Sequence, residues 1–154
     1  MAVRGRDGLD LDEAWRQGAE AHLGITVAGF PNLFLLYGPN TNLGHNSIVF
    51  MIERQIAYAL DAIRELATSS IAELEVRADV QAASNRRLQE ELGQTVWATD
   101  CHSWYKTDEG RITNNWSGPT VRYWWRTLRP RRADFARTRR RPTRPEPAAA
   151  AHSG

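Results

Sequence analysis

The sequence predicts an incomplete α/β fold, and three observations support this prediction. A continuous apolar run at residues 33–37 is typical of a strand buried on both faces of a sheet. Two longer segments, 47–66 and 79–92, have the three- and four-residue apolar spacing of helices. A buried strand needs hydrogen-bonded neighbours on both sides, and the few other short strand candidates cannot supply them. The chain is therefore expected to be part of a larger sheet-containing fold.

The N-terminal part of the sequence is predicted to form only short secondary-structure elements. Asp10 or Asp12 can cap a helical turn around Ala14 and Trp15. Residues 25–27 form a second β-rich run just before the 33–37 strand. Both runs are too short to stand alone, so they are expected to pair within a larger sheet.

The segment 47–66 is predicted to be an amphipathic helix of about five turns. Its apolar residues recur at helical spacing, and the charged residues are mostly displaced from them. The recurring apolar positions are Ile48, Ile52, Ile56, Leu60 and Ile63. This periodicity indicates one apolar face along the whole helix.

The remaining elements follow in order. Residues 71–77 are a strand candidate, and Asp79 is predicted to cap a second helix, 79–92, that Gly93 closes. Residues 94–130 contain seven of the fourteen aromatic residues, and their apolar positions show little periodicity. This segment is therefore predicted to be irregular. The arginine-, proline- and alanine-rich tail 131–154 is predicted to be disordered, because it carries one aromatic residue and cannot build a core.

Composition limits the classes of function. No run of about 18 apolar residues exists, so a transmembrane helix is not expected. The N-terminus lacks the apolar centre of a signal peptide, which predicts a cytoplasmic protein. A single cysteine, Cys101, and scattered histidines predict neither an internal disulfide nor a zinc site. Residues 1–110 have a net charge of −7 and residues 111–154 one of +9, which together give the overall +2.

One polar corner links the predicted strand to the predicted helix. The apolar run stops at Gly38, a polar loop with Asn40 and Thr41 follows, and the helix begins near Asn46 and Ser47. The free N–H groups at a helix N-terminus suit a phosphate or another electron-rich group. From the residues alone, two interpretations stay open: an ordinary turn, or a corner that faces a ligand.

The stretch "FPNLFLLYGPNTNLGHNSIVFMIERQIAYAL" resembles the C-terminal part of the FAD-binding domain of Baeyer–Villiger monooxygenases, most closely their hydroxyacetophenone-type branch. The flanking "RGRDGLDLDEAW" and "TVWATDCHSWYKTDEGRITNNW" resemble the same family, and the resemblance runs from about Arg4 to Arg132. It implies an incomplete C-terminal portion of a two-dinucleotide-binding fold. Residues 1–93 would then belong to the FAD-binding domain, and 94–130 to an aromatic-rich active-site or lid segment.

The resemblance also implies a chemistry. Members of this family use FAD, NADPH and O2 to insert one oxygen atom beside a ketone carbonyl, which gives an ester or a lactone. The corner would lie near the flavin, and the tryptophan of "CHSWY" near the nicotinamide. The implied cofactor-binding residues are Gly38, Asn40, Thr41, Asn46, Ser47, Ile48 and Trp104. Trp97, Tyr105 and Trp116 either line the substrate cavity or fill the core.

Parts of the family pattern are missing from these residues. The chain has no GxGxxG fingerprint and no FxGxxxHxxxW signature, and the family's active-site arginine has no counterpart here. We therefore assign no catalytic residue, and expect a chain that is inactive without a missing N-terminal portion. The alternatives are a short non-catalytic protein, a partner in a split enzyme, or a basic nucleic-acid-binding module at 121–144. Neither a membrane nor a nucleic-acid partner is the expected one.

Overall fold

The computed structural model describes residues 2–42, 47–94 and 111–140. In these ranges the structure is mixed, with helices on a two-stranded antiparallel sheet. The helices are Leu11–Ala14 (α1), Ile48–Thr68 (α2), Ala78–Gly93 (α3) and Thr120–Arg126 (α4), and the strands are Ile71–Val76 (β1) and Phe135–Arg139 (β2). The predicted mixed α/β class is thus confirmed.

The predicted strand at residues 71–77 is confirmed as β1. It pairs with β2, so that Val76 lies opposite Phe135 and Leu74 opposite Arg137, with an irregularity between Ile71 and Glu73. Burial alternates along β1, and Leu74 and Val76 are buried. One face of this small sheet therefore packs on the core, as strand periodicity requires.

The predicted disorder of the tail is wrong for residues 132–140. A 3₁₀ turn at Arg132–Asp134 leads into β2, and Phe135 is only 5% exposed. Phe135 packs with Tyr58 of α2, at a ring-centroid distance of 6.4 Å. The composition of this segment is poor in apolar residues, but one buried ring and a paired neighbouring strand are sufficient to order it. Residues 141–154 lie outside the described residues.

The predicted strand at 33–37 is also wrong, as is the shorter one at 25–27. Neither run is a strand in the structure. Leu35 N donates a 2.7 Å hydrogen bond to Ile25 O, but no ladder continues from it. Asn32 and Tyr37 have φ values of 59° and 57°, so the backbone turns at both ends of the run. A strand needs at least one paired neighbour along its length, and among the described residues 33–37 have only this one backbone bond to another extended segment.

Helix α2 confirms the predicted segment 47–66 but presents a different face to the core. Its buried residues are Met51, Gln55, Tyr58, Ala59 and Ala62. The apolar stripe predicted from the sequence lies beside this face, since successive residues rotate by about 100°. Five apolar residues of α2, which we call the outer stripe, are 38–62% exposed: Ile48, Val49, Ile56, Leu60 and Ile63. Helix α2 is therefore apolar on two adjacent faces, one of them uncovered by the described chain.

Of the two N-caps predicted for the other helices, one is confirmed and one is wrong. Asp10 caps α1, because its carboxylate accepts a 2.9 Å hydrogen bond from Asp12 N. Asp79 does not cap α3; it lies inside the helix, and Arg77 is at the N-cap position. The Asp79 carboxylate instead forms a 2.7 Å ion pair with Arg77. Helix α3 otherwise matches the predicted segment 79–92 to within one residue at each end.

Helix α4 corrects the prediction that the whole of 94–130 is irregular. It begins after Pro119, whose fixed φ favours a helix start, and it buries Tyr123. Trp116 meets Tyr123 edge-on at 5.1 Å between ring centroids, inside a core formed with α2 and α3. This core consists of Met51, Leu88, Leu92, Ile112, Trp116 and Tyr123. Trp116 therefore fills the core. Trp97 and Tyr105 lie outside the described residues.

None of the helices in the described ranges is long and apolar enough to cross a membrane.

Candidate functional site

The corner after residues 33–37 is built on a close approach of two glycines. A Cβ atom on Gly38 would collide with the carbonyl oxygen of Gly24, and one on Gly24 would collide with the Thr41 side chain. Gly24 also has a φ of 69°, which glycine adopts without strain. Glycine at both positions thus allows the chain before the corner to lie directly against the chain after it.

Asn40 and Thr41 act inside the protein. Asn40 is 3% exposed, and its Nδ2 donates to the carbonyl oxygens of Ile112 and Asn115 at 2.7 and 3.1 Å. Thr41 is fully buried, and its hydroxyl donates to Gly38 O at 2.7 Å. These bonds fix the loop against residues 112–115. Both side chains therefore hold the shape of the corner, and neither lines the cavity beside it.

Gln55 connects the corner to helix α2, and the sequence analysis missed it. Its Oε1 accepts a 2.6 Å hydrogen bond from Tyr37 N, and its Nε2 donates to the Tyr123 hydroxyl at 3.0 Å. The Tyr123 hydroxyl in turn donates to Leu23 O at 2.8 Å. An uncharged polar residue between the apolar positions Met51 and Tyr58 was the signal that could have identified it. A polar side chain in such a place needs buried partners.

A cavity of about 440 Å³ opens at this corner. Its lining residues carry no charge and combine apolar surface with a few amide and hydroxyl groups. They are Trp15, Ala19, Leu35, Leu36, Tyr37, Gly38, Pro39, Asn42, Thr113 and Asn114. The volume is within the range of about 300–1,000 Å³ that is usual for small-molecule sites. Such a lining suits a flat, mostly apolar group with a polar edge.

The start of α2 is the second component of the candidate site. Ser47 is at the N-cap position, but its side chain makes no capping hydrogen bond, and the first turn has no acidic residue. The first-turn N–H groups thus lack the side-chain acceptor that a helix start usually has. Ile48 is 38% exposed next to these groups. A helix start without a side-chain cap and with an exposed apolar residue can take the electron-rich edge of a ring.

The structure describes five of the seven predicted residues. Gly38 lines the cavity, Asn40 and Thr41 hold the loop behind it, and Ser47 and Ile48 begin α2 without lining the cavity. Asn46 and Trp104 lie outside the described residues. Within residues 2–42, 47–94 and 111–140, no group of three or more histidine, cysteine or acidic residues is placed to hold a metal ion.

Similar proteins are found in bacteria and fungi. The chain is 51% identical over 123 residues to a Baeyer–Villiger monooxygenase of Pseudomonas aeruginosa, a match that covers 79% of this chain and 23% of that protein. It is 44% identical over 140 residues to the FAD-binding monooxygenase ktnD of Aspergillus niger, covering 88% of this chain and 23% of that protein. No protein-family model matches the sequence.

A solved structure of a steroid monooxygenase bound to NADP has the same fold over this segment. Its TM-score is 0.75 at 24% identity, with 90% of this chain and 26% of that chain covered. The chain thus spans about a quarter of the length of the proteins that it matches. Over that segment, this chain is homologous to Baeyer–Villiger and FAD-binding monooxygenases.

Proposed function

We propose that this chain is the C-terminal part of the FAD-binding fold of a FAD- and NADPH-dependent Baeyer–Villiger monooxygenase. The observation that carries the proposal is the 51% identity over 123 residues to a protein of that activity. The whole enzyme would take a ketone and O2 and release an ester or a lactone. Assignment to the hydroxyacetophenone-type branch is supported by the resemblance of the segment that contains the corner and α2.

The described residues fit one side of a flavin. The cavity at the corner has apolar walls for the faces of a flat ring and amide groups, such as that of Asn42, for its polar edge. Gly38 lets the corner pack against Gly24, and the start of α2 has neither a capping bond from the Ser47 side chain nor an acidic residue in its first turn, which leaves its N–H groups suited to an electron-rich ring edge. When bound, FAD reduced by NADPH would supply the electrons that activate O2. The chain's own role would be to bind and orient the ring through these donors.

Asn40 and Thr41 would contribute indirectly. Both are buried and bonded within the chain, so they would position the loop rather than contact the cofactor. Trp104, on the resemblance of "CHSWY", would lie beside the nicotinamide of NADPH. Asn46, from the same resemblance, would lie beside the flavin with Ser47.

The partner of the outer stripe would be the preceding part of the same enzyme. Its five residues expose aliphatic side chains along one side of α2, and the matched relatives are about four times longer than the matched segment. Burying such a row of aliphatic side chains stabilises an interface by about 25 cal/mol per Å² of apolar area. Residues 33–37 have one backbone bond to Ile25 and no strand partner in the described ranges. In the whole enzyme they would join a sheet formed by the preceding part of the protein.

A chimera tests the proposal. Residues 4–132 replace the matching segment of the Pseudomonas aeruginosa relative, and the purified protein is assayed for bound flavin and for ketone-dependent NADPH oxidation. We expect stoichiometric FAD and measurable turnover, whereas the 154-residue chain alone should hold neither cofactor tightly and oxidise no ketone. A folded chimera without flavin would refute the assignment, and a yellow 154-residue chain would refute the need for a partner.

Matched variants of the chimera test the role of the outer stripe. Leu60→Glu places a charge on the stripe, and Ala83→Glu adds the same charge to the exposed face of α3, which Ala83 shares with Arg86 and Glu90. We expect the Leu60 variant to lose flavin or to be insoluble, and the Ala83 variant to behave as the parent. Equal flavin content in both would show that the stripe is not covered in the assembled enzyme.

A further inference from the structure

A second cavity lies on a part of the surface that the proposed flavin role does not use. It has a volume of about 360 Å³ and lies between the His22 segment and the chain that follows α4. We call it the arginine pocket; its lining residues are His22, Leu23, Trp125, Arg126, Leu128, Arg129, Arg131 and Asp134. It shares no lining residue with the cavity at the corner. An inference about it is therefore independent of the flavin proposal.

The charges of the arginine pocket are unbalanced. Three arginines, at 126, 129 and 131, face one carboxylate, that of Asp134. Several other arginines are paired; Arg77 and Arg137, for example, form ion pairs with Asp79 and Glu65. Among the described residues, no carboxylate lies within ion-pair distance of any of the three pocket arginines. The pocket therefore has an excess of positive charge that attracts anions.

Arg126 is the innermost of the three cations. Its guanidinium lies 5.8 Å from the centre of the Trp116 ring, and its Nη2 donates to Ser84 Oγ at 3.3 Å. Burial, with Arg122 and Arg87 nearby, lowers the pKa of Arg126 against the opposing effect of Glu91 and Asp134, although a guanidinium stays charged at neutral pH. A bound anion stabilises a partly buried cation more than it stabilises an exposed cation, because charges interact more strongly away from water.

His22 adds an unsatisfied polar group to the pocket wall. It is 4% exposed, and neither Nδ1 nor Nε2 has a hydrogen-bond partner in the structure. The nearest carboxylate oxygen, Asp134 Oδ2, is 3.9 Å from Nε2, which is too long for a hydrogen bond. A buried polar ring without partners is unfavourable, so the absence of any partner requires an explanation. Both ring nitrogens are buried at the pocket wall, so a ligand in the pocket can accept the imidazole N–H once the ring turns toward it.

The rim of the pocket is apolar. Trp125 is 71% exposed and Leu128 is 41% exposed, both large values for such side chains. An exposed indole face stacks on flat rings, and adjacent guanidinium groups bind phosphates and carboxylates through two N–H donors. We propose that the arginine pocket binds an organic anion in which a phosphate or carboxylate is attached to a flat ring. Arg126, Arg129 and Arg131 hold the anionic group, Trp125 stacks on the ring, and His22 donates one hydrogen bond.

Titration of the 154-residue chain with simple probes tests this binding. Phenyl phosphate and benzoate present the two anionic groups, phenol presents the ring alone, and inorganic phosphate presents the anion alone. We expect saturable binding of at least one aromatic anion, several-fold tighter than that of inorganic phosphate, and none of phenol. The tighter of the two aromatic anions identifies the group. Absence of saturable binding of both at low salt would overturn the proposal.

Matched variants locate the site. Arg129→Gln removes one pocket cation, and Arg139→Gln removes an exposed cation of β2 that lines no part of the pocket. We expect the first to weaken binding about tenfold and the second less than twofold, since only the first removes a charged hydrogen-bond donor from the pocket. Trp125→Ala should reduce the affinity for phenyl phosphate to that for inorganic phosphate. Equal losses for both arginine variants would instead indicate diffuse attraction to a basic surface and refute the pocket.

The ring signals of His22 give a readout that is local to the pocket wall. Nitrogen-15 spectra of the histidine side chains, with His22→Gln for assignment, should show a shift of the His22 resonances on saturation with the aromatic anion. The Arg139→Gln variant should show the same shift at the same ligand concentrations. Unchanged His22 resonances at saturation would remove His22 from the site and contradict the proposed binding mode.

Discussion

Gln55 Nε2 donates a 3.0 Å hydrogen bond to the hydroxyl of Tyr123, and both side chains are completely buried. The pair joins α2 to α4, and each partner makes one further bond, Gln55 to Tyr37 N and Tyr123 to Leu23 O. Two helices and two loop segments thus meet at one polar contact in an apolar interior. Such a network is stable only when every member is satisfied.

Tyr123→Phe should therefore destabilise the protein by about 1–3 kcal/mol, because it leaves Gln55 Nε2 and Leu23 O buried without a partner. Urea unfolding followed by circular dichroism measures the change. Tyr37→Phe is the matched control: it also removes one hydroxyl, but from a side chain that is 45% exposed and bonded only to Asn42. The control should change the free energy of unfolding by less than about 0.5 kcal/mol. Equal losses would show that the buried network is not formed.

Gly38→Ala should destabilise the protein by about 1–3 kcal/mol, because the added methyl group collides with the Gly24 carbonyl and forces the two segments apart. Gly93→Ala makes the same chemical change at the end of α3, where an added Cβ meets nothing within 4 Å. There we expect a gain of about 0.5 kcal/mol, since alanine favours a helix. Thermal unfolding of the two variants in parallel checks both signs. A neutral Gly38 variant would contradict the close approach on which the corner is built.

The sequence predicted what local spacing determines. Both long helices appear within about two residues of the predicted ends, because a periodic apolar pattern depends only on neighbouring residues. The strand predicted at 33–37 was wrong because strand formation depends on distant residues rather than on local spacing. Its composition fits a strand, but a strand depends on partners, and the described residues give it one bond to Ile25. The same limit applies to the outer stripe: periodicity revealed an apolar face but not whether this chain covers it.

The candidate site was predicted only in part. Gly38 and Ser47 could be identified because a strand-like run, a polar loop and a helix start are recognisable in order along the chain. The roles of Asn40 and Gln55 could not, since their partners Ile112 and Tyr123 are 72 and 68 residues away. Nothing in local spacing indicates which distant carbonyl or hydroxyl a buried amide will meet.

Phe135→Ala should cost about 3–5 kcal/mol, although the sequence suggests a dispensable tail. Phe135 is 5% exposed and packs against Tyr58 in the core between α2 and the sheet. Val121→Ala also truncates an apolar side chain, but Val121 is 64% exposed on α4, and this control should stay within about 0.5 kcal/mol. Chemical denaturation gives both values. A Phe135 variant as stable as the control would restore the prediction of disorder for 132–140.

The stability of the protein should fall between pH 7.5 and 5 because of His22. Burial lowers the pKa of His22 to about 4, with Arg126 and Arg131 acting in the same direction and Asp134 opposing them. The folded protein therefore keeps this ring neutral at pH 5, whereas the unfolded chain, with an ordinary pKa near 6.5, takes up a proton. Because the unfolded state binds more protons, the free energy of unfolding decreases as the pH falls, by about 2 kcal/mol over this range.

Urea titrations at pH 7.5, 6.5, 5.5 and 5 measure this slope. His22→Gln removes the titrating group, so its free energy of unfolding should change far less with pH, whatever its value at pH 7.5. The carboxylates with lowered pKa values, such as those of Glu65 and Glu73, lose most of their stabilising effect as the pH falls through and below their ordinary value of 4.5, so they contribute little to the slope above pH 5. A parent protein whose stability is flat from pH 7.5 to 5 would mean that His22 is charged or solvated when folded. In that case its place in the wall of the arginine pocket would also be wrong.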